Sequence, residues 1–421
     1  MHPNRQRIYH DPLHGAITLH WGDPVETLLI GLIDTPAFQR LRRIRQLGPA
    51  SLTFHGAEAS RFTHSLGAMQ VARRALDSLG DQFPQLRQYR AVLLVSALLH
   101  DLGHGPFSHT GEEIFGSHHE PWSCRLVRES PPIRTLLDRY DPTLAEQVVA
   151  VLTKQYPLPI ISQLVSSQLD CDRLDYLMRD SYFSGASYGH LDLDRILAAL
   201  TFDPDSGELA VDRKGVVAIE HYLTVRSFMY GQVYHHPKNI AANWLLEQTF
   251  ARARLLLGQP GWFCDETLAA WLQGPVEHLS LAQYLAGDDT LCLYHLERWR
   301  QADDPLLQEL SRRYQDRDLP KARSLEGLDP AVQETLLVEC RRWAAAAGWE
   351  PTALVGLRRH NRLGYSRYRQ GIKVCTEQGI RPISERSPLI RALIQPSRDA
   401  WLIYPKPLDA RVRQAIADLQ P

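Results

Sequence analysis

Leu98-Leu99-His100-Asp101-Leu102-Gly103-His104-Gly105-Pro106-Phe107-Ser108-His109 is the stretch on which the reading of this 421-residue chain turns. The apolar run Ala91 to Leu99 predicts a buried helix that delivers His100 and Asp101 at its C-terminal end. Gly103 and Gly105 break that helix and Pro106 keeps it from resuming. Ionisable groups at the mouth of an apolar element are costly unless something pairs with them, and a metal ion is the usual partner. One histidine there would be explained by the negative end of the helix dipole. His-Asp followed by Gly-His-Gly is better explained by a metal.

The surroundings narrow the class. At 44% hydrophobic content the chain can bury a large core, in one big domain or two unequal ones. The net charge of −1 and the pI of about 7.0 give no bulk attraction to nucleic acid or a membrane surface. Six scattered cysteines without a C-x-x-C pair indicate reduced thiols rather than a disulfide framework or a zinc ribbon. No signal peptide and no apolar run of about 18 residues is present, so a cytoplasmic location is expected.

Along the chain, residues 8–20 predict a turn leading into a short strand. Asp34-Thr35-Pro36 opens a helix whose stripe Phe38, Leu41, Ile44 and Leu47 stops at Gly48. Its arginines, Arg40, Arg42, Arg43 and Arg45, fit either a solvated face or an anion site. Arg61-Phe62-Thr63-His64-Ser65-Leu66-Gly67 opens a further helix ended by Gly80, with His64 at its start as a cap, a core residue or a ligand. His118-His119-Glu120 fits a polar surface turn or a pair of proton carriers. A helix over Ile161–Asp180 puts Asp172, Arg173, Tyr176 and Asp180 on one stripe, either a salt-bridged surface or a cavity wall. A hairpin is predicted over 200–218, helices over 220–234 and 239–258, and strands near 372–374 and 401–404. Gly258-Gln259-Pro260-Gly261 is the best boundary, giving residues 1–258 as a core and 259–421 as a mostly helical region with short strands. The class is mainly α.

Two histidines and two carboxylates, His64, His100, Asp101 and Asp172, would suit a borderline divalent metal: Mn, Fe, Co, Ni or Zn, with Mg also admissible. With titrating histidines at 104 and 119 and cations at Arg61, Arg173 and Arg226, the chemistry indicated is hydrolysis of a phosphate ester or anhydride.

The motifs Arg61-Phe62-x-His64-Ser65-Leu66-Gly67, His100 to His109, His119-Glu120-x-x-Ser123 and Asp172-Arg173-Leu174-Asp175-Tyr176-Leu177-x-Arg179-Asp180 resemble the HD-domain phosphohydrolases. The likeness is greatest to the SAM-and-HD-domain deoxynucleotide triphosphohydrolases and their bacterial relatives. It begins at Asp11-Pro12-Leu13-His14-Gly15, continues through Asp34 to Arg42, and reaches Val233-Tyr234-His235-His236. The strong likeness covers about residues 8–250; the C-terminal third matches far less specifically.

The resemblance implies an HD-domain helical core, a metal held by His64, His100, Asp101 and Asp172, and His104 and His119 over an α-phosphate. Glu112 would orient one of these histidines and His109 would touch the phosphates or the leaving oxygen. Arg61, Arg173, Tyr176 and Arg226 would hold the triphosphate, and Gln46, Asp180 and Tyr234 would read the deoxyribose. Asp34, Gln39 and Arg42 match an activating-nucleotide site at a subunit interface, so a homo-oligomer, dimer or tetramer, is expected. The reaction implied is dNTP plus water giving deoxynucleoside and inorganic triphosphate. Arg173 stands where the animal enzymes carry Lys, and His55 where Pro is common; no SAM domain is expected ahead of Tyr9. The rival expectations are a phosphatase or phosphodiesterase acting on nucleoside monophosphates or nucleic acid, and a non-catalytic nucleotide-sensing module.

Overall fold

The computed structural model describes residues 5–362, 371–377, 379–394 and 397–419. Helices dominate, as the apolar periodicity predicts. Among the described residues three small sheets accompany them: the hairpin β1 (Gln6–Asp11) and β2 (Gly15–His20); the order β3 (Leu200–Asp203), β4 (Glu208–Val211), β7 (Lys373–Thr376), β8 (Gly379–Pro382); and β5 (Lys321–Ser324), β9 (Ser397–Tyr404), β6 (Gly356–Arg362). All pairings are antiparallel except β4 with β7, which meet in parallel at Val211 and Val374.

The largest core forms around the helix Arg90–Leu99, whose residues Val92 to Leu99 are all buried. Burial of each large apolar side chain is worth roughly 1.5–3 kcal/mol, so this helix is fixed in place and with it the start of the His-Asp loop. Helix Arg61–Gln82 packs beside it, its first turn capped by Ser60 Oγ.

Contacts cross residue 258 in both directions. Ile372, Val374, Ile383 and Ile390 join the core built by the first 233 residues. Phe107, Ile114, Phe115 and Trp122 join a second core made mostly of residues 242–354. A third core lies between β9, the helix Pro330–Ala346 and the closing helix Asp409–Ala417.

Three predicted helices come out differently. The helix from Pro36 ends after a 3-10 turn at Arg43, because Ile44 turns extended and residues 44–46 pair with 59–61 instead, Gln46 N donating to Ala59 O and Arg61 N to Ile44 O. The segment 161–180 is two helices, Pro159–Val165 and Cys171–Ser184. Asp170 makes the break: its carboxylate accepts from Ser167 N and Arg173 N, which caps a new helix. The helix over 220–234 is α-helical only over Val216–Met229 and finishes as a π turn through Tyr234.

Candidate active site

The His-Asp loop leaves the helix with its backbone turned tightly, Leu102 N donating to Leu99 O and His104 N to Asp101 O. It is held from two sides. Ser123 Oγ accepts from Gly103 N and donates to His100 O, and a Cβ on Gly103 would lie 2.2 Å from His119 O, so only glycine lets the helix His119–Glu129 approach. From the C-terminal side, Arg40 donates to His104 O and Gly287 O, Tyr284 Oη donates to Gly103 O, and the Asp289 carboxylate accepts from Phe107 N and Arg45 N. These contacts keep Phe107 and Ser108 in the left-handed region (φ 60° and 55°), a conformation that costs non-glycine residues energy unless the surroundings impose it. Arg40 is therefore a buried clamp, not part of a solvated face or an anion site.

His64, His100, Asp101 and Asp172 converge from three segments. His100 Nδ1 donates to Ala97 O and His64 Nδ1 lies 2.8 Å from Asp175 Oδ2, so both rings present Nε2 to the same point. His64 Nε2 lies 3.0 Å from Asp172 Oδ1 and 3.4 Å from Asp101 Oδ2; His100 Nε2 lies 3.4 Å from Asp101 Oδ1 and 3.5 Å from Asp172 Oδ1. No hydrogen bond closes on either buried Nε2. Donors around one ion at bond lengths of about 2.1 Å have such separations. His64, His100 and Asp101 form a group able to hold a metal ion, and the donor set fits a divalent one.

Next to this group stand three more histidines. His104 and His119 stack with ring centroids 3.9 Å apart, and His109 packs edge-on to both. Glu112 accepts from His119 N and lies 2.6 Å from His119 Nδ1 and 2.8 Å from His109 Nδ1. Burial, Arg61 and His119 push His104 well below the usual histidine range, which favours its neutral form. Burial would depress His119 too, but the Glu112 and Asp101 carboxylates carry it upward. Two stacked imidazoles thus hold opposite protonation preferences.

A cavity of about 530 Å³ opens over these groups. Gln46, Arg61, Arg173, Tyr176, Asp180 and Tyr234 line it together with His100, Asp101, His109, His119 and Asp172. Arg61 donates to Asp101 Oδ2 and Ser108 Oγ, and Arg173 to Asp170. Tyr234 Oη donates to Asp180 Oδ2, while the buried Asp180 Oδ1 has no hydrogen bond; burial raises this carboxyl to about 7. Four of the residues expected at the catalytic and substrate site stand outside the wall. His64, His104 and Glu112 support it as described, and Arg226 lies behind it, donating to Gln168 and sitting over the Tyr230 ring.

Asp34, Gln39 and Arg42 lie apart from the cavity. Asp34 pairs with Arg7, and Arg42 donates to Gln39 while lying 3.6 Å over the Phe62 ring.

The HD domain family model matches residues 61–176, and the HD associated region matches 191–255. An uncharacterized protein of Bacillus subtilis, YwfO, is 33% identical over 415 residues, covering 96% of this chain and 93% of its own. Human deoxynucleoside triphosphate triphosphohydrolase SAMHD1 is 28% identical over 292 residues; the match covers 60% of this chain and 45% of that protein. Among solved structures, a phosphohydrolase of Bacteroides thetaiotaomicron superposes with a TM-score of 0.82 at 28% identity, covering 95% of this chain and all of that one. The chain belongs to the HD-domain phosphohydrolases. It is a metal-dependent hydrolase, and its cofactor is a divalent metal ion.

Sequence reasoning missed the residues that hold the site rather than form it. Ser123 had a signal, as the last position of the quoted His-Glu-x-x-Ser motif. Arg40, Tyr284 and Asp289 had none, since their partners lie 64 to 247 residues away.

Proposed function

We propose that the protein hydrolyses deoxynucleoside triphosphates to deoxynucleoside and inorganic triphosphate. The observation that carries this reading is a single cavity joining two chemistries: a four-donor cluster flanked by Arg61 and Arg173, and a tyrosine wall ending in the Tyr234–Asp180 pair. Its volume of about 530 Å³ lies in the range of small-molecule sites. The names of the SAMHD1 relatives, all deoxynucleoside triphosphate triphosphohydrolases, support the same substrate class.

In this reading His64, His100, Asp101 and Asp172 hold the ion, which when bound neutralises phosphoryl charge and makes water a competent nucleophile near neutral pH. Arg61 and Arg173 bind the triphosphate oxygens, with Arg226 contributing its charge from behind. Tyr176 packs along the sugar, and Gln46, Asp180 and Tyr234 read its hydroxyls. Water adds at the α-phosphorus as the bond to the 5′ oxygen breaks. His119, held by Glu112 through Nδ1, gives its proton to that leaving oxygen; neutral His104 stacks on it and His109 contacts the phosphates. Asp34, Gln39 and Arg42 bind an activating nucleotide in a homo-oligomer.

Chromatography of the products from each dNTP, singly and mixed, with Mn²⁺ or Mg²⁺, tests the reading. Deoxynucleoside with triphosphate is the expected result, and turnover confined to mixtures would identify an activating site. Release of phosphate or pyrophosphate would replace the proposal with a phosphatase or pyrophosphohydrolase.

A further inference from the structure

The Asp11-Pro12-Leu13-His14-Gly15 turn has no part in the chemistry above, yet it lies directly behind the metal-ligand cluster. Asp11 Oδ1 accepts from Leu13 N and His14 N, which shapes the turn between β1 and β2. Its other oxygen accepts from Arg179 Nη1 at 2.8 Å. Arg179, fully buried, spends Nε and Nη2 on the Asp175 carboxylate at 2.8 and 2.9 Å. His14 Nε2 closes on Asp175 Oδ1 at 2.6 Å, and His64 Nδ1 on Asp175 Oδ2 at 2.8 Å. Arg179, His14 and His64 all close on Asp175, and Asp11 reaches it through Arg179.

The two helices are built to bring them together. Asp175 follows Asp172 by three residues and so projects from nearly the same face one turn on. Gly67 follows His64 by three residues in the same way. A Cβ on Gly67 would lie 1.9 Å from Asp175 Oδ1 and 2.4 Å from Arg179 Nη2, so the glycine is the space that admits the carboxylate. A ring nitrogen that donates to a carboxylate leaves the other with a lone pair, and such partners fix the orientation and tautomer of metal-binding histidines.

We infer that Asp175 is a positioning residue for the metal site, holding His64 with the Nε2 lone pair toward Asp101 and Asp172, and that the Asp11–Gly15 turn and Arg179 exist to hold Asp175. The inference rests on the reading of His64, His100, Asp101 and Asp172 as the ligands. A merely structural ion-pair network would leave metal affinity alone once the protein is folded.

Mn²⁺ titration of the metal-stripped full chain by calorimetry, with thermal unfolding of the same samples, separates the two. His64→Ala and Asp172→Ala test the ligand reading, and both should abolish the tight site. Asp175→Asn should weaken Mn²⁺ binding roughly 10- to 100-fold, the usual effect of losing such a partner. His14→Ala, which leaves the Arg179 contacts to Asp175 in place, should weaken it less, with affinity read at a temperature where the apo protein is folded. Unchanged affinity in folded Asp175→Asn and His14→Ala, with His64→Ala dead to metal, overturns the positioning role and leaves the ligand reading standing. Unchanged affinity in His64→Ala overturns both. A second measurement reads the wild type itself: ¹⁵N-histidine NMR of the Zn²⁺-loaded protein, with His64→Gln used only to assign the His64 signals. A protonated Nδ1 and a ligated Nε2 are expected at His64, and the opposite tautomer refutes the inference.

Discussion

Two buried imidazole nitrogens that face carboxylates and close no hydrogen bond, on His64 and His100, mark where an ion belongs. Beside them, His104 and His119 are pushed in opposite directions, His104 down and His119 up, and the proposed mechanism places the proton on His119. Glu112 sets the second of these, and Glu112→Gln should show it. Without the carboxylate His119 loses a contact that raises its pKa, so the imidazolium survives only to lower pH. The alkaline limb of kcat should move to lower pH and kcat should fall roughly 10- to 100-fold, short of the full 10²–10⁴ of a proton-transfer group. A pH–rate profile under saturating substrate checks both. Asp180 gives a stability prediction of known sign. Burial opposes its charge and pushes this carboxyl up to about 7 in the folded protein, against about 3.9 for a free Asp side chain. Between those values the folded state holds more protons than the unfolded one, so stability falls as pH rises through the window. In metal-free protein, wild type should lose on the order of 3–4 kcal/mol relative to Asp180→Asn between pH 4 and pH 7, about 1.4 per unit. Parallel stability curves for the two proteins would contradict the assignment.

At the level of elements, the His-Asp helix was legible because its signal is local: an apolar run, then His-Asp, then two glycines and a proline. The stripe of Asp172, Tyr176 and Asp180 was legible for the same reason, and the cavity wall is the one of its two readings that the structure adopts. The helix break at Asp170 was not, since an Asp within a polar run is read equally well as helix interior or cap until its partners at Ser167 and Arg173 are seen. The helix from Pro36 was over-extended because its apolar stripe continues past Arg43 while its backbone pairs with Ala59 and Arg61. Four arginines in that segment looked alike, and only long-range contacts separate Arg40, buried on Gly287 O and His104 O, from its neighbours. The same clamp yields a prediction. Tyr284 is fully buried, stacked on Trp122 at 3.6 Å, with its hydroxyl on Gly103 O. Tyr284→Phe keeps the stacking and strands that carbonyl, which should cost ~1–3 kcal/mol. A lowered urea midpoint at unchanged slope would report it, and an unchanged midpoint would mean the hydroxyl contributes nothing.

For the whole molecule, every residue given a role in the proposed site precedes Gly258, but the cavity wall also takes in Arg358. Tyr284 and Asp289 brace the His-Asp loop from beyond that point, while Arg40 and Ser123 brace it from before it. Phe107, Phe115 and Trp122 pack among Trp271, Tyr284 and Trp299, and Asp289 anchors the backbone at Phe107. A fragment of residues 1–258 should therefore expose an aromatic face, aggregate and lack activity, although it carries every proposed ligand. A monodisperse, active fragment in size-exclusion chromatography would show that the bracing is dispensable. Among the described residues no helix is long and apolar enough to cross a membrane. The direct measurement of the central claim is mass spectrometry of the products made in H₂¹⁸O by the Mn²⁺-loaded full chain from each dNTP. Attack of water at the α-phosphorus predicts one ¹⁸O in inorganic triphosphate and an unlabelled deoxynucleoside. Labelled phosphate or pyrophosphate, or label in the deoxynucleoside, would contradict it.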